Sequence, residues 1–348
     1  MSNLRAVAAA CRVSVATVSY VINNGPRPVA PETRRRVLQA MRELNYRPRA
    51  LHRGEMAKQA DTIGLLFTYT AEAPQRYDYV KPVLDGIVPR AVGARQNILL
   101  FGARDWSDAH QSLRNYCDGR CDGLLLLSLH QDNTIVPALR ERGFPFVLLG
   151  GAGPDRDLPC VDMDNIAAAE RMTDYLVGRG HRRIALIAGD MTLWSSIQRL
   201  EGYKRSLQRA GIAYDDSLVL HSGPLKTTAY ERALHLARLD GQSRPSAVLC
   251  SSDPMALEAL EALRREGLRV PEDVSVAGFD DLEEAATANP PLTTVRQSLR
   301  RQGELAVDLL LEQIHGKACG LTPQPRQEIL ETELVERGSV GPPRRSAK

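Results

Sequence analysis

Residues Arg12 to Asn24 read RVSVATVSYVINN, the pattern of a tight turn followed by a short helix. Ser14 is a good N-cap, because its hydroxyl can accept from the free backbone N–H groups two or three residues on. At about 100° per residue, Val18, Val21 and Ile22 share one face, with Val15 at its edge. Ala16, Tyr20 and Asn23 fall on the opposite face, flanked by Thr17 and Ser19. That outer face is small, flat and hydrogen-bonding and carries no acid, so it can lie in a major groove without repelling phosphate. Tyr, Asn, Ser and Thr can donate to base edges or phosphates, and Ala or Val can meet a thymine methyl. Upstream, Leu4, Val7, Ala8 and Cys11 follow the i, i+3, i+4, i+7 spacing of a second short helix. Two such helices joined by a tight turn form a helix-turn-helix, whose second helix reads DNA. On helix pattern alone, a small hairpin that merely packs is an equal reading.

The residues that follow decide between the two. A third helix is expected from Pro31, since proline suits a first helical position where its missing N–H has no partner anyway. Val37, Met41 and Leu44 form its inner stripe, and Arg34, Arg35 and Arg36 lie in its first two turns, within reach of a phosphate backbone. Asn45-Tyr46-Arg47-Pro48 ends it, because the residue before proline avoids the helical region. Residues 1–60 hold eleven Arg or Lys against three acids, a net charge of +8, whereas the remainder holds thirty-four against thirty-nine, a net of −5. A basic head on an acidic body is the electrostatic footprint of a nucleic-acid binder.

The chain has 348 residues, 43% of them apolar and 25% charged, ordinary values for a globular protein with one small and one large domain. No apolar run reaches the roughly 20 residues that span a membrane, and the first residues are too short in apolar length for a secretory signal, so the expectation is a cytoplasmic protein. The six cysteines (Cys11, Cys117, Cys121, Cys160, Cys250 and Cys319) have no metal-ligand spacing and read as free thiols. From Asp61 onward, strands alternate with helices. Strands are expected at 62–68, 97–102, 121–128 and 144–150, then at 183–189, 217–221, 246–252 and 273–279. Helices are expected near 80–95, 107–116, 134–142, 165–177, 197–210, 227–239 and 254–266, with a last helix at 298–315 and an extended segment at 327–335. Continuous apolar strands alternating with helices imply parallel, doubly wound sheets, and two series imply two subdomains.

The N-terminal run VSVATVSYVIN followed by PETRRRVLQAMRELNYRP closely resembles the DNA-binding headpiece of the LacI family of bacterial transcriptional regulators. The body resembles that family's type I periplasmic sugar-binding fold through Arg179-Gly180-His181-Arg182-Arg183-Ile184-Ala185, Ser252-Asp253-Pro254-Met255-Ala256, Val276-Ala277-Gly278-Phe279-Asp280-Asp281 and Pro290-Pro291-Leu292-Thr293-Thr294-Val295. Glu333 to Ser339 matches the family's usual ending. The resemblance implies an all-α headpiece (1–48), a hinge linker (49–60) and an α/β core of two doubly wound parallel-sheet subdomains (61–160 and 161–288). A return crossover near 290–325 feeds the first subdomain, a C-terminal strand occupies 326–337, and 338–348 reads as a disordered tail. In the family the linker folds on operator DNA and a leucine wedges into the minor groove. That position falls on Glu55 here, with Met56 next. A carboxylate there would be repelled by phosphates, so either Met56 is the wedge through a small shift or the central contact is weaker.

In open α/β sheets ligands sit at the carboxyl ends of the strands, where this chain offers Thr68, Tyr69, Asp105, Trp106, Ser128, His130, Asp162, Asp164, Asp190, Ser252, Asp253 and Asp280. The resemblance singles out Arg199, in an S-x-x-x-R-x-x-G block, and Asp280, after Gly278-Phe279, as effector contacts, with Ser252, Asp253, Trp194 and Asp164 behind them. Val15, Ala16 and Tyr20 are expected to read bases, and Ser14, Thr17, Ser19 and Asn23 to fix position on the backbone. The implied partners are double-stranded operator DNA, a sugar-like effector and a second copy of the chain, with no cofactor, metal or membrane. The implied function is a repressor on a palindromic operator. Co-repression, activation and a plain sugar-binding protein stand as alternatives, and no catalytic constellation supports an enzyme.

Overall fold

The computed structural model describes residues 4–23, 29–44, 59–68, 76–103, 116–151, 153–222, 228–241, 243–321 and 324–344. The chain divides into two compact units, residues 1–58 and 59–348. In the first, α1 spans Leu4–Cys11, α2 Val15–Asn23 and α3 Pro31–Glu43. Arg12 takes a φ of 53° between α1 and α2. Val13 N–H donates to Ala8 O at 3.0 Å and Arg12 N–H to Ala9 O at 3.1 Å, the bond pair that ends a helix through one left-handed residue. Ser14 Oγ then accepts from Thr17 N–H at 3.0 Å and caps α2. Val7, Ala8, Cys11, Val18, Val21, Val37 and Ala40 bury each other as the core of this unit.

Two details differ from expectation. Leu44 is exposed, because α3 stops at Glu43, and Ala40 joins Val37 on the inner stripe instead. Val15 stands 41% exposed, on the outer side of α2 rather than at the edge of its buried face. The side chains of Ile22 and Asn23, the exit 45–48 and the linker from 49 to 58, with Glu55 and Met56, lie outside the described residues. So do Tyr69, Asp105, Trp106 and the expected helix over 107–115. The last linker positions belong to the body: Ala60 N–H donates to Asp122 Oδ1 at 2.7 Å.

The body carries two parallel sheets. The first contains β1 (Thr62–Thr68), β2 (Asn97–Ala103), β3 (Gly123–Leu127), β4 (Phe146–Leu149), β5 (Cys160–Met163) and β11 (Gln327–Leu330), in the order β11-β5-β4-β3-β1-β2. The second contains β6 (Ile184–Ala188), β7 (Val219–His221), β8 (Ala247–Cys250) and β9 (Ser275–Ala277), in the order β7-β6-β8-β9. Side chains alternate across each sheet. Leu125 and Leu127 face α4 (Arg76–Gly93) and α11 (Leu299–Ala318), while Leu124 and Leu126 face α5 (Ile135–Glu141). In the second sheet, Ala185 and Ile187 face α8 (Ala229–Ala237), α9 (Asp253–Arg265) and the short α10 (Glu283–Thr287), while Ile184 and Leu186 face α6 (Asn165–Gly178) and α7 (Trp194–Arg209). Each subdomain is therefore doubly wound. Among the described residues no single helix is long and apolar enough to cross a membrane.

The C-terminal third holds the main departures. The extended segment 327–335 is two strands in two sheets. β11 runs parallel to β5, and after Glu331 the strand β12 (Thr332–Val335) pairs antiparallel with β10 (Thr294–Gln297). β5 is itself a strand that the apolar pattern passed over. The tail also differs, since Ser339 and Val340 are buried. Ser339 Oγ donates to Val276 O at 2.6 Å, and Val276 N–H donates to Ser339 O at 2.9 Å, so the chain completes the open edge of β9. Gly341 O lies 2.9 Å from Nε2 of the fully buried His181, whose Nδ1 meets Ser246 Oγ at 2.9 Å, and this fixes His181 as a packing residue. The chain passes between the subdomains at three short points, 163–165, 297–299 and 330–332.

α4 and α11 cross backbone to backbone. A Cβ on Gly303 would lie 2.3 Å from Val83 O, and one on Gly86 would lie 2.0 Å from Arg300 O. Gly303→Ala is expected to lower the urea midpoint of the body, by about 1–3 kcal/mol of overpacking, even though alanine is the better helix former. An unchanged midpoint would show that the crossing has slack.

Candidate functional site

A cavity of about 290 Å³ lies between the carboxyl ends of the two parallel sheets. Phe67 of β1, Leu127 and Ser128 at the end of β3, Leu149 and Gly150 at the end of β4, and Asp162 and Met163 of β5 line it from the first subdomain. Asp190 after β6, Ser251 and Ser252 after β8, and Asp280 after β9 line it from the second. Strand ends leave backbone and side chains unclaimed by the next layer, which is why ligands collect there.

Arg199, on the second turn of α7, is the cation at the floor of this cavity, and its side chain is only 11% exposed. Nε donates to Asn165 Oδ1 at 3.0 Å, and one terminal nitrogen donates to the Ser251 carbonyl. The guanidinium carbon stands 3.7 Å from the centroid of Phe279, and the same terminal nitrogen lies 3.8 Å from Asp280 Oδ1. Three elements thus converge on one planar group, which stays charged when buried.

Three buried carboxylates surround it. Asp280 accepts from the Gln297 amide, and burial pushes it up to about 8 against the pull of Arg199. Asp162 accepts from Gly151 N–H at 3.0 Å and Met163 N–H at 2.8 Å, and burial raises it too. Asp253 sits behind them and is pushed up to about 6 by burial. Asp280 and Asp281 have φ of 123° and 60°, a rare conformation for residues with a Cβ. The turn is pinned from three sides. Arg296 Nε and an Arg337 terminal nitrogen donate to Asp281 at 2.7 and 2.6 Å, and Leu282 N–H donates to Asp253 Oδ2 at 2.9 Å.

Of the residues singled out from the sequence, Arg199, Asp280, Ser252 and Trp194 line the cavity. Trp194 rests against Gly153 of the other subdomain, where a Cβ would come within 2.5 Å of the indole. Asp253 and Asp164 do not line it. Asp253 is fully buried and spends its oxygens on Thr294 Oγ1 (2.6 Å) and Leu282 N–H. Asp164 caps α6 by accepting from Ala167 N–H at 2.9 Å. Ser252 also caps a helix, accepting from Met255 N–H at 3.5 Å. Tyr79, Asn165, Gln297 and Glu258 line the cavity as well and were missed. Asp162 was visible as a strand-end acid, but β5 had to be recognised before it could be ranked above Asp164. Ser251 Oγ and Gln297 Oε1 are buried in the lining with no hydrogen-bond partner among the described residues.

Asp280 and Asp253 hold their protons more tightly folded than unfolded, so their contribution to stability is present at low pH and is lost as pH rises through about 6 and then about 8. Thermal stability without effector is expected to fall between pH 6 and pH 8, by about 2 kcal/mol from Asp280. Asp280→Asn is expected to flatten that slope. A slope that Asp280→Asn leaves unchanged would assign the titration to other groups.

On the N-terminal unit, Val15 and Ala16 are exposed and Thr17, Ser19 and Tyr20 half-buried, while Val18 and Val21 face inward. Arg35 and Arg36 of α3 are exposed as well. A short helix capped by Ser14, with Thr17, Ser19 and Tyr20 partly exposed and no acid along it, is a form that can enter a major groove. Residues 3–49 match the family described as bacterial regulatory proteins, lacI family, and residues 173–340 match the periplasmic binding protein-like domain. The HTH-type transcriptional regulator CelR of Thermobifida fusca is 37% identical over 344 residues, which cover 97% of each chain. The structure of the transcriptional regulator CelR-cellobiose complex superposes with a TM-score of 0.72 at 35% identity, over 97% of this chain and 100% of that one. The lac repressor dimer bound to operator and the anti-inducer ONPF superposes with a TM-score of 0.73 at 26% identity, over 98% of this chain and 99% of that one. With its helix-turn-helix headpiece and its paired parallel-sheet body, this chain belongs to the LacI family of bacterial transcriptional regulators.

Proposed function

We propose that the protein is a repressor that binds a two-fold symmetric operator as a homodimer in the cytoplasm and is controlled by a neutral sugar or sugar derivative in the cleft. The observation that carries the effector class is the composition of the cavity floor. One guanidinium faces the Asp162 and Asp280 carboxylates, and Ser251 Oγ and Gln297 Oε1 lack partners among the described residues. An acceptor such as Gln297 Oε1 calls for a donor from the ligand, and the guanidinium of the floor is already engaged by Asn165, the Ser251 carbonyl and Asp280, which leaves little of it for an anion. A ligand rich in hydroxyls meets both demands, and Phe67, Tyr79 and Trp194 offer flat apolar faces for its ring. The similar CelR structure holds cellobiose, which supports the same class.

In this reading Arg199 and Asp280 hold adjacent hydroxyls, with Ser252 and Trp194 at their sides. Asp253 and Asp164 act behind the site by fixing the 279–282 turn and the start of α6. Val15, Ala16 and Tyr20 read base edges. Ser14, Thr17, Ser19 and Asn23 position α2 on the backbone, and Met56 supplies the minor-groove wedge on family resemblance alone. The lac repressor structure, a dimer on operator, supports the two-fold assembly. Val88 and Val92, one turn apart on α4, and Leu100 on the edge strand β2 are large apolar side chains left exposed, as a subunit interface needs. Effector binding changes operator affinity roughly 5- to 150-fold, corresponding to about 1–3 kcal/mol of coupling.

The test is binding-site selection on random duplex DNA, followed by titration of the selected site with neutral sugars. A palindrome released by a sugar is expected. One tightened by a sugar would reverse the logic to co-repression, and no enrichment at low salt would remove the DNA-binding reading. Tyr20→Ala is expected to relax base preference at its positions more than it weakens non-specific binding. Arg199→Lys is expected to keep operator affinity and lose the sugar response, because lysine cannot reproduce the planar fork.

A further inference from the structure

Gln302 lies on α11 and is fully buried behind the cavity. A buried primary amide carries both donors and an acceptor, and each calls for a partner. Its Nε2 donates to Val161 O of β5 at 2.9 Å. Its Oε1 accepts from the Tyr79 hydroxyl of α4 at 3.1 Å. Tyr79 lines the cavity, and Gln302 stands outside the lining. One side chain thus joins α4, β5 and α11 behind the cavity floor.

Val161 fixes the direction of both bonds. A backbone carbonyl can only accept, and this one also accepts from Gly150 N–H at 2.9 Å. Turning the Gln302 amide over would set its oxygen against that carbonyl oxygen, so Nε2 faces Val161 and Oε1 faces Tyr79. An amide oxygen has no proton to give, so the Tyr79 hydroxyl must be the donor, and a phenol has a single O–H. Burial, reinforced by Asp162 and Asp280, raises the Tyr79 hydroxyl well above its ordinary value, so its proton stays in place at neutral pH. The hydroxyl interacts electrostatically with Asp162, Asp280 and Arg199, which all line the cavity. With its one proton committed to Gln302, the Tyr79 oxygen is left as an acceptor.

We propose that Gln302 is a positioning residue for effector selection: it holds the Tyr79 proton away from the ligand, so that Tyr79 accepts from a ligand hydroxyl and rejects an acceptor-only group at the same ring position. This rests on the sugar reading above and gives one contact of the cavity floor a fixed polarity. A ligand group that can only accept would face the Tyr79 oxygen with no proton between them, which costs more than the loss of a hydrogen bond alone. Gln302→Leu removes the acceptor and leaves Val161 O its bond from Gly150 N–H, so the Tyr79 proton is released to the ligand. Gln302→Glu keeps the polarity, because a buried protonated acid can donate to Val161 O and accept from Tyr79.

The experiment is isothermal titration calorimetry on the full chain. Glucose, galactose, mannose, xylose, cellobiose, maltose and lactose are titrated first. The tightest binder is then compared with its monodeoxyfluoro derivatives, in each of which an acceptor-only fluorine replaces one hydroxyl. One ring position is expected at which fluorine weakens binding at least about tenfold in the unmodified protein and at which Tyr79→Phe removes that gap. There, Gln302→Leu is expected to bring parent and fluoro sugar within about threefold of each other, and Gln302→Glu to keep the gap of about tenfold. In a Tyr79→Phe background Gln302→Leu is expected to change the gap no further. Equal losses for parent and fluoro sugars in Gln302→Leu would overturn the proposal and reduce Gln302 to packing, with the sugar reading intact. Gln302→Met, which keeps the length of the side chain, carries the same comparison if Gln302→Leu does not fold. A gap that survives Tyr79→Phe at every position would also overturn the proposal. If no sugar bound the unmodified protein, the sugar reading would fail, and the role of Gln302 with it.

Discussion

A guanidinium removed from water must be repaid in hydrogen bonds and opposite charge, and the body is arranged around meeting that demand for Arg199. Its partners come from the start of α6, the end of β8 and the turn after β9, and its flat face lies on Phe279. Each contact ties one strand or helix end of the second subdomain to the same point. Burial raises all three carboxyls around it, Asp280 to about 8 against the pull of Arg199.

The turn that delivers Asp280 depends on groups from distant parts of the chain. Two consecutive left-handed aspartates are costly unless the surroundings hold them. Asp281 is held by Arg296 and Arg337, and Arg296 also reaches Glu333 Oε2 at 2.9 Å. These groups sit where β10 and β12 pair, next to two of the three points at which the chain crosses between subdomains. Asp280 of the cavity floor and the crossing strands are therefore parts of one network. Across the mouth of the cleft, Gln131 N–H donates to Thr192 O at 2.8 Å and His130 approaches Asp190 at 4.0 Å, linking the same two subdomains on their far side.

The headpiece follows a simpler logic. Its core is a handful of small apolar side chains, and its shape comes from a left-handed Arg12, a serine cap and a proline helix start. All three act within a turn or two of chain. That is why most of this unit could be read from the sequence, and its two misreadings, Val15 and Leu44, fall at helix ends.

The sequence by itself determined what depends on neighbours along the chain: the capped helix at Val15–Asn23, the charge split between head and body, the alternation of apolar strands with helices, and the choice of Arg199 and Asp280 through their family blocks, while their 3.8 Å approach came from the fold. The tertiary structure decided what depends on partners far along the chain. β5 is short and is held as a strand between β4 and β11, so its four residues carried no strong local pattern. The segment 327–335 changes sheets at Glu331 because β5 and β10 offer separate open edges, and the tail packs at Ser339 and Val340 because β9 has an open edge for Ser339 to fill. Asp253 looked like a ligand group by its position after a strand, yet it faces Thr294 and Leu282. Hydrogen-bond direction at a strand end is set by what the fold packs behind it, and the one-dimensional pattern does not carry that information.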